Sequence, residues 1–238
     1  MENIRRAAEV LRDLNSDILL LQEVKDYEAC ARLADSISPN TYHVAVCSKF
    51  KGGNQQVAIL ARHHAWAAWS EEWKSLEGVD PPRGLAFAWF KIGKADFGVY
   101  SVHLKSNLVM GGNTELETAK NIRKREVASQ QILDHIRTVI EPSMPAIKSV
   151  VIGGDFNTNT DQPMFASEKT LQTLTDAGFV NVLGALPLDQ RITHPANHGY
   201  PPATFDYLFG REARAGAAIL TTSKASDHYP VTCDFEIR

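Results

Sequence analysis

The stretch SVVIGGDFNTN, Ser149 to Asn159, sets the reading of the whole chain. Val150, Val151 and Ile152 run into Gly153 and Gly154 and then into Asp155 and Asn157. An unbroken run of β-branched residues belongs to a strand covered on both faces. Glycines followed by an acid and an amide mark a polar loop at its end. If the backbone stays extended past Gly154, Asp155 and Asn157 point the same way and converge on one place. An Asx turn accounts for the same residues equally well, so the flanking sequence has to decide.

On the N-terminal side the pattern recurs. FGVYSVHLKSN, Phe97 to Asn107, is an apolar strand to Leu104, and its end carries His103, Lys105 and Asn107, which share a face while the chain is extended. Between the two strands, Thr114 to Ile140 reads as one long helix, with Ala128, Ile132, Ile136 and Val139 inward and Arg123, Lys124 and Glu126 outward. Pro142 ends it. Further upstream, Asp80-Pro81-Pro82-Arg83-Gly84 is a loop that releases into a strand over Leu85–Phe90. Trp66, Trp69 and Trp73 fall near helical spacing, which indicates packing. Strands are expected near Tyr42–Cys47 and Gln56–Ala61, joined by the turn KFKGGNQQ. A helix spans Tyr27–Ile37. Before it, DILLLQEV is a strand whose apolar part, Ile18–Leu21, ends in Gln22 and Glu23, a carboxylate that needs a cation or donor if buried. The chain opens on an amphipathic helix with Ile4, Ala7, Ala8, Leu11 and Leu14 on one face.

On the C-terminal side, a helix around Glu168–Ala177 stops at Gly178. Leu186 to Ala203 is a long irregular segment in which His194 and His198 read as surface residues. TFDYLF then sets Asp206 inside an apolar strand, where it needs a partner. Ser226-Asp227-His228 forms a polar loop before a last strand, Val231–Ile237.

Interspersed strands and helices over 238 residues, 44% of them hydrophobic, indicate a layered α/β architecture in a single domain, 1–238. A net charge of -3 argues against a broadly basic nucleic-acid-coating surface but leaves room for a local cationic cleft. The three cysteines follow no zinc or disulfide spacing. No apolar run reaches the roughly 20 residues of a membrane span, so no transmembrane segment is expected.

Five separated strand ends thus supply Glu23, His103, Asp155 with Asn157, Asp206, and Asp227 with His228. A serine-hydrolase reading lacks a GxSxG elbow, and a zinc-hydrolase reading lacks a His/Cys ligand cluster. A hard-cation site fits better, because Mg2+ prefers one or two carboxylates together with waters and substrate phosphate oxygens. One such ion, an Asp holding a water and several His, Asn and Lys donors make an arrangement suited to phosphoryl hydrolysis.

These motifs resemble those of the endonuclease/exonuclease/phosphatase family. LLLQEV is similar to its metal-glutamate motif, SVHLKS to its strand-end histidine, GGDFNTN to its Asp-x-Asn motif, FDYLF to its Asp-Tyr motif and SDHYPV to its terminal Ser-Asp-His motif, all in the family's order. The resemblance implies a four-layered α/β sandwich of two packed mixed β-sheets flanked by helices. It implies a phosphodiesterase using Mg2+, or Mn2+ as a substitute, with nucleic acid the foremost substrate; a phosphomonoesterase, a sphingomyelinase-like enzyme and a weakened binding module are the alternatives. Carried over by resemblance, Glu23 is the principal metal ligand with Asp227 beside the metal, and Asp155 positions or deprotonates the attacking water. His228 contacts the scissile phosphate or transfers a proton, oriented by Asp206. Asn157 and His103 bind phosphoryl oxygens, and Lys105, Asn107 and Arg83 are further candidates for phosphate contacts. One feature departs from the family: its usual first strand, ending in an Asn, is not matched here, since neither Asn3 nor Asn15 ends an apolar strand. Such a sheet would expose an edge, with compensation expected from another segment or from a second copy of the chain in a homodimer. An upstream segment, export signal included, is the other expectation.

Overall fold

The computed structural model describes residues 2–51, 53, 55–109, 111–196 and 200–237. Its first half runs helix α1 (Glu2–Leu14), strand β1 (Ile18–Val24), α2 (Tyr27–Ile37), β2 (His43–Cys47), β3 (Gln56–Ala61), β4 (Ala67–Glu72), β5 (Gly84–Ile92) and β6 (Ala95–His103). Then come α3 (Thr114–His135), the short α4 (Glu141–Ser143), β7 (Ser149–Asp155), α5 (Thr170–Asp176), β8 (Val180–Asn181) and β9 (Asp206–Arg211). Four short strands close the chain: β10 (Ala213–Ala215), β11 (Ile219–Leu220), β12 (Val231–Thr232) and β13 (Phe235–Ile237).

The β-branched run of β7 lies within a six-stranded sheet of order β4-β5-β6-β7-β9-β8, and every residue of β7 is buried. β6 and β7 are parallel, while β7 and β9 are antiparallel. A second sheet, β1-β3-β2, packs face to face on the first. Val57, Ile59 and Ala61 from β3 meet Ala86, Ala88 and Phe90 from β5 and Val99 from β6, with Ile18 and Leu20 of β1 against them. The outer face of the small sheet is covered by α1 and α2, whose Ala8, Cys30, Leu33, Ala34 and Ile37 pack on Leu19, Ala58 and Leu60. Ala128 and Ile132 of α3 and Leu171 and Leu174 of α5 cover the other face of the large sheet, against Tyr100, Val150 and Ile152. The layers are therefore helix, sheet, sheet, helix, as the α/β sandwich requires. Removing a side chain as enclosed as that of Ile152, with none of its surface exposed, costs about 2–5 kcal/mol as an alanine substitution.

Three local expectations need correction. Residues 67–72 form strand β4, and the expected packing of the three tryptophans holds for two: Trp69 packs on Phe87 at 4.7 Å between ring centroids and Trp73 is buried, but Trp66 is exposed. The long helix is α-helical only to His135 and continues as a π-helical turn over Ile136–Ile140 and then α4. The last strand is two short pieces, paired separately as β11-β12 and β10-β13. Among the described residues β1 pairs with β3 only, so its other edge carries no neighbouring strand.

Candidate active site

The site is assembled by strand register. Across the parallel β6–β7 pair His103 stands opposite Asp155, and across the antiparallel β7–β9 pair Asp155 stands opposite Asp206. Three titratable side chains, each about fifty positions from the next in the chain, thus form one row at the same end of the large sheet. Gly154, with φ of 142°, admits the close crossing: an added Cβ would lie 2.0 Å from the carbonyl oxygen of Val102.

Asp155 and Asn157 converge, but not by extended alternation. The strand ends at Asp155, and Asn157 has a left-handed φ of 53°. Its backbone N–H donates to Asp155 Oδ1 at 2.8 Å and its side-chain Nδ2 donates to Oδ2 at 2.9 Å, while Nδ2 also reaches Leu104 O at 3.3 Å. The Asx turn is itself what joins the two residues. Burial, then the charge of Asp206, push the Asp155 carboxyl up to about 8, against the opposing pull of His228 and of the Asn157 N–H.

His103 is almost wholly buried, with Nε2 at 3.5 Å from Asp155 Oδ2 and 3.9 Å from Glu23 Oε1. Burial, with the charges of Arg83 and His228, drives it down to about 3, so it is a neutral ring and contributes a hydrogen bond rather than a charge. Its Nδ1 is buried without a hydrogen-bond partner among the described residues. His228 is the opposite case. Burial alone would lower it, but Nδ1 lies 2.6 Å from Asp206 Oδ2, and that hydrogen bond and the carboxylate charge raise it to about 9. Asp206 thereby gains the partner its place in the sequence demands.

Glu23 leaves its strand through a register irregularity between Leu21 and Val24, with φ of 56°. This bulge aims the carboxylate out of the sheet's alternation. Gln55 Nε2 donates to Glu23 Oε1 at 2.8 Å, and Arg83 Nη2 donates to Gln55 Oε1 at 2.5 Å. Gln55 was not legible in the turn KFKGGNQQ, since nothing in its spacing singles it out. The other terminal nitrogen of Arg83, Nη1, donates to the carbonyls of both His103 (3.3 Å) and Leu104 (3.0 Å), so this guanidinium braces the β6 end.

Lys105 and Asn107 follow β6 in irregular backbone rather than sharing the face of His103. Asn107 Nδ2 donates to the Asn157 carbonyl at 2.7 Å, whereas Lys105 Nζ donates to Ser106 O and Oγ. The carbonyl of Lys105 is held by Arg125, an α3 residue wholly buried in a two-pronged pair with Glu168 at 2.8 and 2.6 Å. Asp227 is exposed; Ser226 Oγ donates to its Oδ1 at 3.3 Å, and its charge acts on His228 and His194. No contact among the described residues joins it to Glu23.

His194 is not a surface residue. It is half-buried, with its ring 4.9 Å from that of His228 at 71° and its Nδ1 enclosed. His198 lies outside the described residues. Among those residues no group of three or more His, Cys, Asp or Glu is gathered as a metal cage, and no helix is long and apolar enough to cross a membrane. The donor set instead suits an ion that takes few protein ligands: Glu23 is a hard oxygen donor with 60% of its side chain exposed, and among the described residues Oε1 alone is engaged.

A search of curated protein sequences found no match. Solved structures share the fold at low identity. An endonuclease/exonuclease/phosphatase family protein from Leptotrichia buccalis C-1013-b is 19% identical, with a TM-score of 0.72 over 99% of this chain and 93% of that one. Mannosyl-6-phosphatase Bt3783 from Bacteroides thetaiotaomicron VPI-5482 is 12% identical, with a TM-score of 0.72 over 99% and 91%. TDP2 from D. rerio, complexed with single-strand DNA product, is 16% identical, with a TM-score of 0.70 over 99% and 93%. A profile of the Endonuclease/Exonuclease/phosphatase family matches residues 2–228. The chain belongs to that family of phosphoric ester hydrolases.

Proposed function

We propose that the chain is a Mg2+-dependent phosphodiesterase that cleaves a phosphodiester in nucleic acid by in-line attack of water. The observation that carries this reading is the row His103, Asp155 and Asp206 with His228 bonded to the last. In it one carboxylate is raised toward neutrality and one imidazole is raised above it. A base with a pKa near the working pH and an acid that stays protonated there are the pair that general acid–base catalysis needs.

Asp155 takes the proton of the attacking water; as a stronger base than an ordinary carboxylate it is suited to this. The imidazolium of His228, kept charged by Asp206, faces the scissile phosphate, offsets the charge that develops on it and delivers a proton to the leaving oxygen. His103, as a neutral ring, and Asn157 bind phosphoryl oxygens. For Asn157 this requires exchanging an internal donor, since both hydrogens of its amide are engaged with Asp155 and Leu104. Lys105 and Asn107 extend the cationic and polar rim. Arg83 acts by holding the β6 end and, through Gln55, the Glu23 carboxylate.

Glu23 would hold Mg2+, with Asp227 on the approach to it and Mn2+ as a substitute; the ion supplies charge neutralisation at the phosphoryl oxygens. Support for nucleic acid comes from the fold shared with the D. rerio protein, whose structure contains a single-strand DNA product.

The test is hydrolysis of plasmid DNA, bis-p-nitrophenyl phosphate and p-nitrophenyl phosphate, each with Mg2+ and with EDTA. The proposal expects metal-dependent turnover of both diesters. Turnover of the monoester alone would overturn the phosphodiesterase assignment, and a folded protein inactive on all three would favour a binding module.

A further inference from the structure

We infer that Thr193 is a positioning residue for the Asp206–His228 pair, an inference that rests on the reading of that pair as catalytic. The two partners lie 22 positions apart in the chain, and a buried residue, Thr193, hydrogen-bonds to both segments. Thr193, with none of its surface exposed, accepts the backbone N–H of Phe205 at 2.9 Å and that of Asp206 at 3.0 Å on its hydroxyl oxygen. Its carbonyl accepts the N–H of Tyr229, the residue after His228, at 2.6 Å. Its own N–H donates to Ala203 O at 3.0 Å.

The hydroxyl therefore fixes the peptide from which the Asp206 carboxylate projects, and the carbonyl fixes the backbone that carries His228. The same Phe205 peptide accepts the N–H of Phe156 at 2.8 Å, so the bracing continues to the residue after Asp155. Next to Thr193, the His194 ring stands edge-on to His228 at 4.9 Å and packs on Phe205 at 5.6 Å, closing one side of the space in which His228 could turn. Thr193 itself has no surface with which to meet a substrate. Thr193 therefore acts on the rate through the alignment of the pair, and not on substrate affinity.

Val is close to Thr in shape but supplies no acceptor, whereas Ser supplies the acceptor without the methyl group. Steady-state kinetics on bis-p-nitrophenyl phosphate are compared for wild type, Thr193→Val, Thr193→Ser, Asp206→Asn and the Thr193→Val/Asp206→Asn double variant. Thr193→Val should lose about tenfold or more in kcat with KM nearly unchanged, as expected for misalignment of a reacting group. Thr193→Ser should recover kcat to within about threefold of wild type, and the double variant should be no slower than Asp206→Asn alone. A folded Thr193→Val with wild-type kcat, equal losses in the Val and Ser variants, a change confined to KM, or full additivity with Asp206→Asn would each overturn the inference. A measurement on the unmutated protein covers the case in which Thr193→Val does not fold. The amides of Phe205 and Asp206 should be protected from hydrogen exchange, and rapid exchange of both would overturn the inference as well. If Asp206→Asn and His228→Ala retain full activity, it is the catalytic reading of the pair that fails, an outcome separable from all of these.

Discussion

Replacing Asp206 by asparagine removes one charge from the pair with His228 while keeping the side chain's size and its place at the start of β9. Burial by itself would hold His228 below the ordinary 6.5, and it is the hydrogen bond and charge of Asp206 that carry it to about 9. That difference favours the imidazolium by about 3 kcal/mol, in a side chain only 27% exposed. Without the carboxylate, His228 should titrate near or below 6.5. Near pH 8 about nine-tenths of wild-type rings then carry the proton against about one in thirty of the variant's, so a rate that needs imidazolium falls about 30-fold. Near pH 5.5 both are mostly protonated, and the loss shrinks to about what the bond contributes by orienting the ring. The assay is kcat/KM for bis-p-nitrophenyl phosphate across about pH 5 to 10 at fixed Mg2+ and ionic strength, read as the position of the alkaline limb. A stability measurement runs in parallel. A histidine whose pKa rises on folding from 6.5 to about 9 contributes stability that is fully present below 6.5 and lost as pH climbs through about 9. Wild type should therefore exceed the variant in urea resistance near pH 6, with the gap closing toward about pH 10. An alkaline limb that does not move, or a loss of equal size at both ends of the range, would refute the reasoning.

Other perturbations follow from the same contacts. Asp155→Ala and His228→Ala should each lower kcat by about 100-fold or more, in line with loss of a general base or acid; wild-type turnover in either, at fixed Mg2+, would remove that residue from the mechanism. Gly154→Ala forces a Cβ to 2.0 Å from Val102 O at a φ of 142°, and should cost about 3 kcal/mol or prevent folding; an unchanged urea midpoint would show that the backbone crossing is not tight. Arg125→Met leaves Glu168 buried without its partner and should destabilise the protein by about 3–5 kcal/mol. The Arg125→Met/Glu168→Met double variant should recover part of that loss in urea denaturation, and a double variant as unstable as the sum of the singles would contradict the pairing. If a second copy of the chain adds a strand at the β1 edge that pairs with no strand among the described residues, light scattering should find a concentration-dependent dimer, and only monomer at every concentration would rule that homodimer out.

The layers were legible because burial writes itself into composition locally. Ile18–Leu21 and Val150–Ile152 are short continuous apolar runs closed by polar residues, as covered strands are, and the wheel of Ile4, Ala7, Ala8 and Leu11 is that of a helix with one face packed. Residues 66–73 were not legible as a strand because three tryptophans at near-helical intervals suit a helix as well as a strand with one packed face and a loop beyond it, and only pairing with β5 decides between the two. The polar strand ends were legible as chemistry for a related reason: a carboxylate beside apolar residues must have a partner, and Asp206 has one.

The assembly of those ends into a site was legible only in part, since alternation fails where the backbone stops being extended. Glu23, Arg83 and Asn157 all have positive φ, a region non-glycine residues rarely enter, and each side chain is aimed by that departure. What spacing rules cannot reach at all is contact set by register between distant segments. Arg125 finds Glu168 across 43 positions, Gln55 finds Glu23 across 32, and Thr193 finds Asp206 across 13. The first joins helix α3 to the segment before α5, and the other two each join a loop to a strand end that the sheet has already fixed. The residues expected to touch substrate could be read one motif at a time, but the residues that hold them in place depend on all the strands being paired. A substitution at Thr193 or Gln55 therefore changes the site without altering any motif by which the site is recognised.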